Sequence, residues 1–216
     1  MQRLTRQEMA KRLAQDIAPG SYVNLGVGMP TMVGDYLNPA DEILLHSENG
    51  ILGMGPSAPE GEEDPEMINA GKMPVTLLTG GAFFHHVDSF AIMRGGHLDL
   101  SIMGGMQVSS SGDLANWSLG RPGEPPAVGG AMDLAVGAKK VFIIMEHNAK
   151  DGTPKIVETC TLPVTGLGVV SRVYTDLAVL ESTPQGLQVI EKLVDITDAE
   201  LQALTGAKLS FPVTTL

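Results

Sequence analysis

The chain has 216 residues, 43% of them hydrophobic and 18% charged, a composition ordinary for a soluble globular α/β protein. Its formal net charge of −11 argues against binding to nucleic acid or to anionic membrane surfaces. A single cysteine, Cys160, excludes an intrachain disulfide and a cysteine-based metal cluster. Because no apolar run approaches the length of a membrane span and no signal sequence follows Met1, we expect a cytoplasmic protein.

Capping residues, apolar periodicity and turn residues divide the chain into alternating helices and strands. Helices are predicted over residues 5–18, 30–37, 89–94, 131–138 and from 197 onwards. Strands are predicted over 22–25, 43–46, 75–78, 98–103 and 141–145, with long loops over 53–71 and 120–130. Two further strand-like segments, 169–181 and 187–190, predict an antiparallel hairpin at the sheet edge. The alternation predicts one domain over 1–216 with an open, mostly parallel sheet and helices on both faces.

Glu48 directly follows the predicted strand 43–46, which would deliver it to the carboxyl edge of the sheet, where open α/β folds bind ligands. Asn49-Gly50 supplies a sharp turn, because both residues tolerate positive φ. Glycine-rich turns are expected to follow strands and to converge on this edge at 26–28, 47–50, 80–81, 104–105 and 129–130. Their backbone N–H groups are what an acyl oxyanion requires. Glu48 is therefore either a solvated loop acid or a nucleophile.

The other motifs exclude more than they indicate. Gly26-x-Gly28-x-Pro30 lacks the third glycine and the distant acidic residue of a dinucleotide-binding site. We therefore expect a tight turn that lets Asn24 and backbone amides face the crevice. The histidines lack metal-ligand spacing, and the adjacent pair His85-His86 cannot point the same way, so no metal site is expected. A Gly-x-Ser-x-Gly nucleophile motif is absent. Lys72, by itself, is typical of a surface cation.

Six longer motifs occur in one order along nearly the whole chain: Val23-Asn24-Leu25-Gly26-Val27-Gly28-Met29-Pro30, Ser47-Glu48-Asn49-Gly50 with 52–56, Ile68-Asn69-Ala70-Gly71-Lys72, Arg94-Gly95-Gly96-His97, Asp113-Leu114-Ala115-Asn116-Trp117 and Gly129-Gly130-Ala131-Met132-Asp133. Together they resemble the B (β) subunit of 3-oxoacid CoA-transferases. Within that family, His46 before Ser-Glu-Asn-Gly and the segments 61–64, 79–86 and 174–180 are most similar to the 3-oxoadipate branch. The acetoacetate and succinate branch usually has Gln in place of His46.

The resemblance implies a CoA-transferase/NagB-like fold and a ping-pong reaction in which Glu48 is the covalent nucleophile. A carboxylate with a reference pKa near ~4.3 is ionised at neutral pH without an activating base. Gly130, with Ala131 beside it, is implied as oxyanion donor, and Asn24 as part of the acyl site. The positions implied to line the CoA and substrate site are Gly26, Gly28, Asn49, Gly50 and Lys72. No permanently bound cofactor is implied, because the CoA thioester is a substrate.

The net negative charge of the chain is relevant to which substrates and partner subunit we expect. CoA and a dicarboxylate are both anions, and in the family resembled a separate A (α) subunit carries the glycine-rich CoA-binding motif that this chain lacks. The resemblance therefore implies an A2B2 heterotetramer that acts on succinyl-CoA and a 3-oxo acid, 3-oxoadipate, in aromatic-compound catabolism. Acetoacetate or a short-chain fatty acid as acceptor, and a non-catalytic ligand sensor of the same fold, remain alternatives. Arg121 and His85-His86 are candidates, on charge alone, for binding the distal carboxylate.

Overall fold

A computed structural model describes residues 2–123 and 128–212 of the chain. Its helices are α1 (Arg6–Ala14), α2 (His86–Arg94), α3 (Ala131–Gly137) and α4 (Asp198–Ala203), with 3-10 helices at Met29–Tyr36 and Pro39–Asp41. Its strands are β1 (Tyr22–Leu25), β2 (Leu44–Ser47), β3 (Ile51–Ser57), β4 (Val75–Phe83), β5 (Leu100–Gly104), β6 (Gln107–Ser109), β7 (Leu114–Ala115), β8 (Val141–Ile144), β9 (Ile156–Val157), β10 (Arg172–Tyr174), β11 (Ala178–Thr183), β12 (Gly186–Lys192) and β13 (Leu209–Ser210).

Ten strands form the main sheet, in the order β13-β12-β11-β10-β8-β5-β1-β2-β3-β4. The five central strands β10, β8, β5, β1 and β2 are parallel. Antiparallel pairs flank this centre on both sides, β3 and β4 at one edge and β11 and β12 towards the other. Strands β6, β7 and β9 form a second, smaller sheet. The mostly parallel sheet with a C-terminal hairpin is thus confirmed, although the predicted strand 169–181 comprises the two strands β10 and β11, and β13 lies outside β12 at the edge. The hairpin of β3 and β4 was not predicted.

Helices cover both faces of the main sheet, and strand β8 shows why. Val141 and Ile143 pack into the core that includes residues of α2, α3 and α4. Phe142 and Ile144 pack into a second core, shared with α1 and the 3-10 helix Met29–Tyr36. Successive side chains of a strand point to opposite faces, so a strand covered on both faces must be apolar at every position. The run of apolar residues in β8 meets this requirement.

Two of the sequence predictions at the β3–β4 edge are wrong. The predicted loop over 53–71 overlaps β3, which continues to Ser57, and Gly80-Gly81 lies within β4 instead of forming a turn after it. At this hairpin a Cβ added to Gly53 would lie 2.9 Å from Cα of Gly81, so glycine permits the close approach of the two strands. A glycine-rich strand has few side chains that could reveal its alternation, and the sequence therefore indicates a loop.

The helix predictions fare better, with shifts at their ends. Capping boxes begin α1 at Thr5 and α4 at Thr197, as predicted. The predicted helix over 30–37 is a 3-10 helix, and α2 begins at His86, three residues before its predicted start. Part of the predicted loop over 120–130, residues 124–127, lies outside the described residues. No helix within the described ranges has the length and apolarity needed to cross a membrane.

Candidate active site

Glu48 lies in the turn between β2 and β3, at the carboxyl end of a parallel strand, as predicted. The amide of Gly50 donates to the carbonyl of Ser47 at 2.9 Å, and the amide of Phe84 donates to the carbonyl of Gly50 at 3.0 Å. Gly50 has a φ of 111°, and a Cβ at this position would overlap the carbonyl oxygen of Phe84. Only glycine suits this backbone, so the turn holds Glu48 in one place.

The loop over residues 68–73 is tied to this turn. Asn49 Nδ2 donates to the carbonyl of Ile68 at 2.7 Å, and the amide of Ala70 donates to Ser47 Oγ at 3.0 Å. Asn49 therefore fastens a neighbouring loop instead of pointing at Glu48. Lys72 follows in the left-handed region, with a φ of 63°, and its side chain is exposed. The structure thus places Lys72 at the rim of the site.

The glycine turn after β1 lies beside the same loop. A Cβ added to Gly71 would lie 3.6 Å from the side chain of Val27, the residue between Gly26 and Gly28. Gly26 donates from its amide to the carbonyl of Ile102 at 2.8 Å, which holds the start of the turn against the neighbouring strand β5. Gly28, with a φ of 89°, precedes the first residue of the 3-10 helix. Two predicted lining segments are therefore adjacent.

Gly130 lies directly against the carboxylate of Glu48. A Cβ added to Gly130 would overlap Oε2 of Glu48 and lie 3.2 Å from Cζ of Phe90. Gly130 is the residue before α3 and no side chain caps this helix. The amide of Ala131 donates to the carbonyl of Val128 at 3.2 Å, whereas no acceptor within the described residues faces the N–H of Gly130. Of these two N–H groups, the one of Ala131 is thus engaged, and the one of Gly130 has no acceptor within residues 2–123 and 128–212.

The close packing of α2 and α3 brings further side chains to Glu48. A Cβ added to Gly137 of α3 would overlap the carbonyl oxygen of Met93 in α2, so this glycine allows the two helices to touch. On the adjoining face of α2, the ring of His86 lies 4.7 Å from the ring of Phe90, and the guanidinium of Arg94 lies 5.7 Å from it. Residues four apart share a helix face, which explains this row.

Three influences act on the pKa of Glu48. The carboxylate is half-buried, and this burial raises its pKa above the ordinary value. The charge of His86 lowers the pKa, and the charge of Asp133 raises it. The net effect is an increase, because the buried carboxylate has lost part of its hydration. A poorly solvated carboxylate is a stronger nucleophile, and acylation would remove the charge that burial disfavours.

His46 and Asn24 form a buried support behind Glu48. Asn24 Nδ2 donates to Nδ1 of His46 at 2.9 Å and to its carbonyl oxygen at 3.1 Å. Nδ1 therefore accepts, and the imidazole proton resides on Nε2, which lies 2.9 Å from Oγ of Ser89 in α2. Burial lowers the pKa of His46 to about 4, so the ring is neutral at physiological pH. This chain of contacts joins β1, β2 and α2.

Because of these hydrogen bonds, the Asn24 side chain cannot serve as an oxyanion donor in the way expected of Gly130. Both N–H groups of the Asn24 amide are engaged at His46, and the side chain is buried. The atom of the Asn24 side chain that remains for a ligand is its amide oxygen. An amide oxygen accepts hydrogen bonds and therefore does not stabilise an oxyanion. Among predicted site residues that are distant in sequence, Glu48 and Gly130 are thus the pair that packs together directly.

Sequence reasoning did not assign roles to Phe90 or Asp133. The spacing of residues 86, 90 and 94 is a helical signal, but it does not show which element the face meets. Of the adjacent histidines, His85 precedes α2 and its Nδ1 accepts from the amide of Val87 at 3.2 Å, so it caps the helix. His86 is the one whose charge acts on Glu48. The two side chains diverge, as predicted.

The other reactive residue types have structural surroundings. His147 is buried between the hydroxyls of Thr175 and Thr205, at 3.1 and 2.8 Å. Burial raises the pKa of Cys160 to about 11, which keeps the thiol protonated. Across residues 2–123 and 128–212, no group of three or more His, Cys, Asp or Glu side chains could hold a metal ion.

The site thus consists of a half-buried carboxylate at the end of a parallel strand, with the backbone of Gly130 packed against it. The Coenzyme A transferase family model matches residues 6–194. The chain is 61% identical over 207 residues to the B subunit of the 3-oxoadipate CoA-transferase of Pseudomonas putida, covering 96% of this chain and 97% of that protein. It is 47% identical over 203 residues to the B subunit of a probable succinyl-CoA:3-ketoacid coenzyme A transferase of Bacillus subtilis, covering 94% and 93%.

The fold is similar to a solved structure as well. The acyl-CoA transferase YdiF of Escherichia coli O157:H7 superposes with a TM-score of 0.77 at 19% identity, covering 99% of this chain. The match spans 43% of that longer chain. The chain belongs to the coenzyme A transferase family.

Proposed function

We propose that this chain is the B subunit of a 3-oxoadipate CoA-transferase, which moves CoA from succinyl-CoA to 3-oxoadipate in the breakdown of aromatic compounds. The contact between Oε2 of Glu48 and the backbone of Gly130 is the observation that carries the proposal. In this proposal Glu48 is the nucleophile, and the backbone of Gly130, which packs against it, supplies the oxyanion donor. The higher identity to the 3-oxoadipate enzyme than to the 3-ketoacid enzyme supports the choice of acceptor.

In this proposal the Glu48 carboxylate attacks the thioester carbonyl of succinyl-CoA and expels the CoA thiolate, which leaves a mixed anhydride. The thiolate then attacks the Glu48 carbonyl, succinate departs, and a glutamyl-CoA thioester remains. The carboxylate of 3-oxoadipate attacks this thioester, and the released thiolate attacks the new acyl group to give 3-oxoadipyl-CoA and free Glu48. Each step has a tetrahedral oxyanion, for which a donor such as the Gly130 amide is worth about 2.7–4 kcal/mol.

We infer that the site is completed by the A (α) subunit of the CoA-transferase in an A2B2 heterotetramer. Four apolar side chains next to site residues are exposed: Val27 at 65%, Met73 at 56%, Val87 at 65% and Met132 at 39%. Exposed apolar residues around a polar site are typical of a surface that another protein covers. Such a cover would also exclude water, to which the anhydride and the thioester are both vulnerable. The partner would contribute cations for the CoA phosphates, because acidic residues outnumber basic ones in this chain and its formal net charge is −11.

Trapping the intermediate tests the covalent mechanism. The A/B complex is incubated with succinyl-CoA and treated with borohydride, which reduces a thioester but not a carboxylate. We expect the Glu48 peptide to carry the corresponding alcohol in a mass spectrum. An unchanged Glu48 would favour the alternative of a non-catalytic ligand sensor.

The acceptor is tested separately, by comparing kcat/KM for 3-oxoadipate and acetoacetate. A preference for acetoacetate or a short-chain fatty acid would retain the enzyme class and replace the substrate. The same assay on each of the two purified chains tests the partner: full activity of this chain by itself would refute the requirement for the A (α) subunit.

A further inference from the structure

Two charged side chains act on Glu48, and within the described residues one of them has an ion-pair partner and the other has none. Within the described residues, the side chains whose charges act on Glu48 are His86 and Asp133. Asp133 is paired with Arg94, whose Nε lies 2.5 Å from Oδ1 of Asp133. His86 has no ion-pair or hydrogen-bond partner for its imidazole in the described ranges. It is a basic group beside the nucleophile that is free to meet a ligand.

The position of the His86 ring is set by its contact with Phe90. The two rings lie 4.7 Å apart and are tilted by 50°. Cζ of Phe90 lies 3.2 Å from where a Cβ on Gly130 would be, and that same Cβ would overlap the Glu48 carboxylate. His86, Phe90, Gly130 and Glu48 therefore form one continuous wall, with an imidazole at one end and the reacting carboxylate at the other.

The other basic side chains near the site are less suitable. His85 uses Nδ1 to cap α2, and Arg94 is held by Asp133 and lies over Phe90. Lys72 and Arg121 are exposed, and neither is among the groups whose charge acts on Glu48. Of the candidates for binding a distal carboxylate, His86 is the one that the structure places along the wall leading to the nucleophile.

We propose that His86 is a specificity-determining residue that binds the distal carboxylate of a dicarboxylic substrate while the other end of that substrate reacts at Glu48. This inference rests on the proposed function. Succinyl-CoA and 3-oxoadipate each carry a second carboxylate at the end of a short carbon chain, and acetoacetate carries none. In a ping-pong reaction the two distal carboxylates would occupy the same position in turn. An N–H of the imidazole donates a charge-assisted hydrogen bond to the carboxylate, next to the apolar ring of Phe90.

The acceptor half-reaction isolates this effect from the donor. The glutamyl-CoA thioester of the A/B complex is formed and mixed in a single turnover with 3-oxoadipate or acetoacetate, for the wild type, His86→Gln and His86→Arg. We expect His86→Gln to raise the concentration of 3-oxoadipate required for half-saturation by about tenfold or more, as for the loss of a hydrogen bond to a charged group. The value for acetoacetate should stay within about twofold, and His86→Arg should retain the preference because a guanidinium also donates hydrogen bonds to a carboxylate.

His85→Gln is the matched control, since it removes the adjacent histidine and should leave the ratio of the two acids unchanged. A second readout needs no turnover: direct binding of adipate to the A/B complex, measured by calorimetry, should weaken in His86→Gln, and binding of hexanoate should not. If His86→Gln alters both acids equally, or neither, the inference is overturned. If the wild-type thioester fails to transfer CoA to 3-oxoadipate, the proposed function fails instead, and the adipate–hexanoate comparison still decides the role of His86.

Discussion

Gly130 and Glu48 are 82 positions apart in sequence, yet the backbone of Gly130 lies so close to Oε2 of Glu48 that even a methyl group would not fit between them. The contact joins the turn after β2 to the first residues of α3. It depends on a glycine in each element, because Gly50 shapes the turn and Gly137 lets α3 approach α2. Glu48 is therefore held by backbone packing, and no cationic side chain in the part of the chain that the structure describes forms an ion pair with it.

Gly130→Ala tests this contact directly. The added methyl would displace the Glu48 carboxylate, and a displacement of about 1 Å in a reacting group can reduce the rate by about 10²-fold. We expect kcat of the A/B complex to fall by this order, as measured with succinyl-CoA and 3-oxoadipate. Gly104→Ala is the control, because Gly104 also lies at the end of a strand and its added Cβ would meet no atom within 4 Å. An active Gly130→Ala complex would contradict the assigned role of Gly130.

Glu48→Gln should inactivate the enzyme and stabilise the fold. Burial raises the pKa of Glu48, so the folded state binds a proton more readily than the unfolded state, and ionisation near neutral pH destabilises the fold. The variant should unfold at a higher urea concentration than the wild type at pH 7. This difference should vanish below the ordinary pKa of glutamate, where both states of the wild type are protonated.

Glu146→Gln provides the opposite control. Burial alone would raise the pKa of Glu146, but the hydrogen bonds and charge of Arg6, a backbone hydrogen bond and the charge of Lys155 together outweigh it, and the net pKa is lowered. Loss of this carboxylate should therefore destabilise the fold at pH 7 and have less effect in acid. Equal effects of Glu48→Gln and Glu146→Gln on the urea midpoint would show that the pKa values of the two carboxyl groups are not shifted in opposite directions.

His46→Leu and His46→Gln distinguish the hydrogen bonds of His46 from its volume. Leucine would leave the Asn24 amide and the Ser89 hydroxyl without their buried partner, at a cost of about 1–3 kcal/mol for each unsatisfied group. Glutamine offers both an acceptor and a donor and should retain most of the stability. Urea unfolding measures both variants. Equal stabilities would show that packing alone matters at this position.

Two buried histidines predict how the stability of the chain depends on pH. Burial lowers the pKa of His46 and of His147 to about 4, below the ordinary value of 6.5. Between these values the unfolded chain binds protons that the folded chain does not, so stability should be complete above pH 6.5 and decline towards pH 4. His46→Gln should reduce this slope. An unchanged slope in His46→Gln would contradict the burial of a neutral ring.

The alternation of apolar runs and capping residues was sufficient to predict the parallel centre of the sheet, both capping boxes and the turn that carries Glu48. The glycine-rich hairpin of β3 and β4 was missed because glycines carry no side-chain pattern, and its pairing depends on a partner strand. The resemblance to a family identified Gly130, but it grouped Ala131 and Asn24 with it. The structure shows that their N–H groups are engaged elsewhere.

The sequence by itself determined which residue types lie at the carboxyl ends of the strands, because strand polarity and turn chemistry are local properties. It also determined that His85 and His86 diverge, since neighbours on a helix or strand cannot point the same way. Only the tertiary structure decided which of them meets Glu48, and that His46 supports the turn from behind. Those relationships depend on how closely α2 and α3 pack on the sheet, and packing of distant segments is a property of the whole fold.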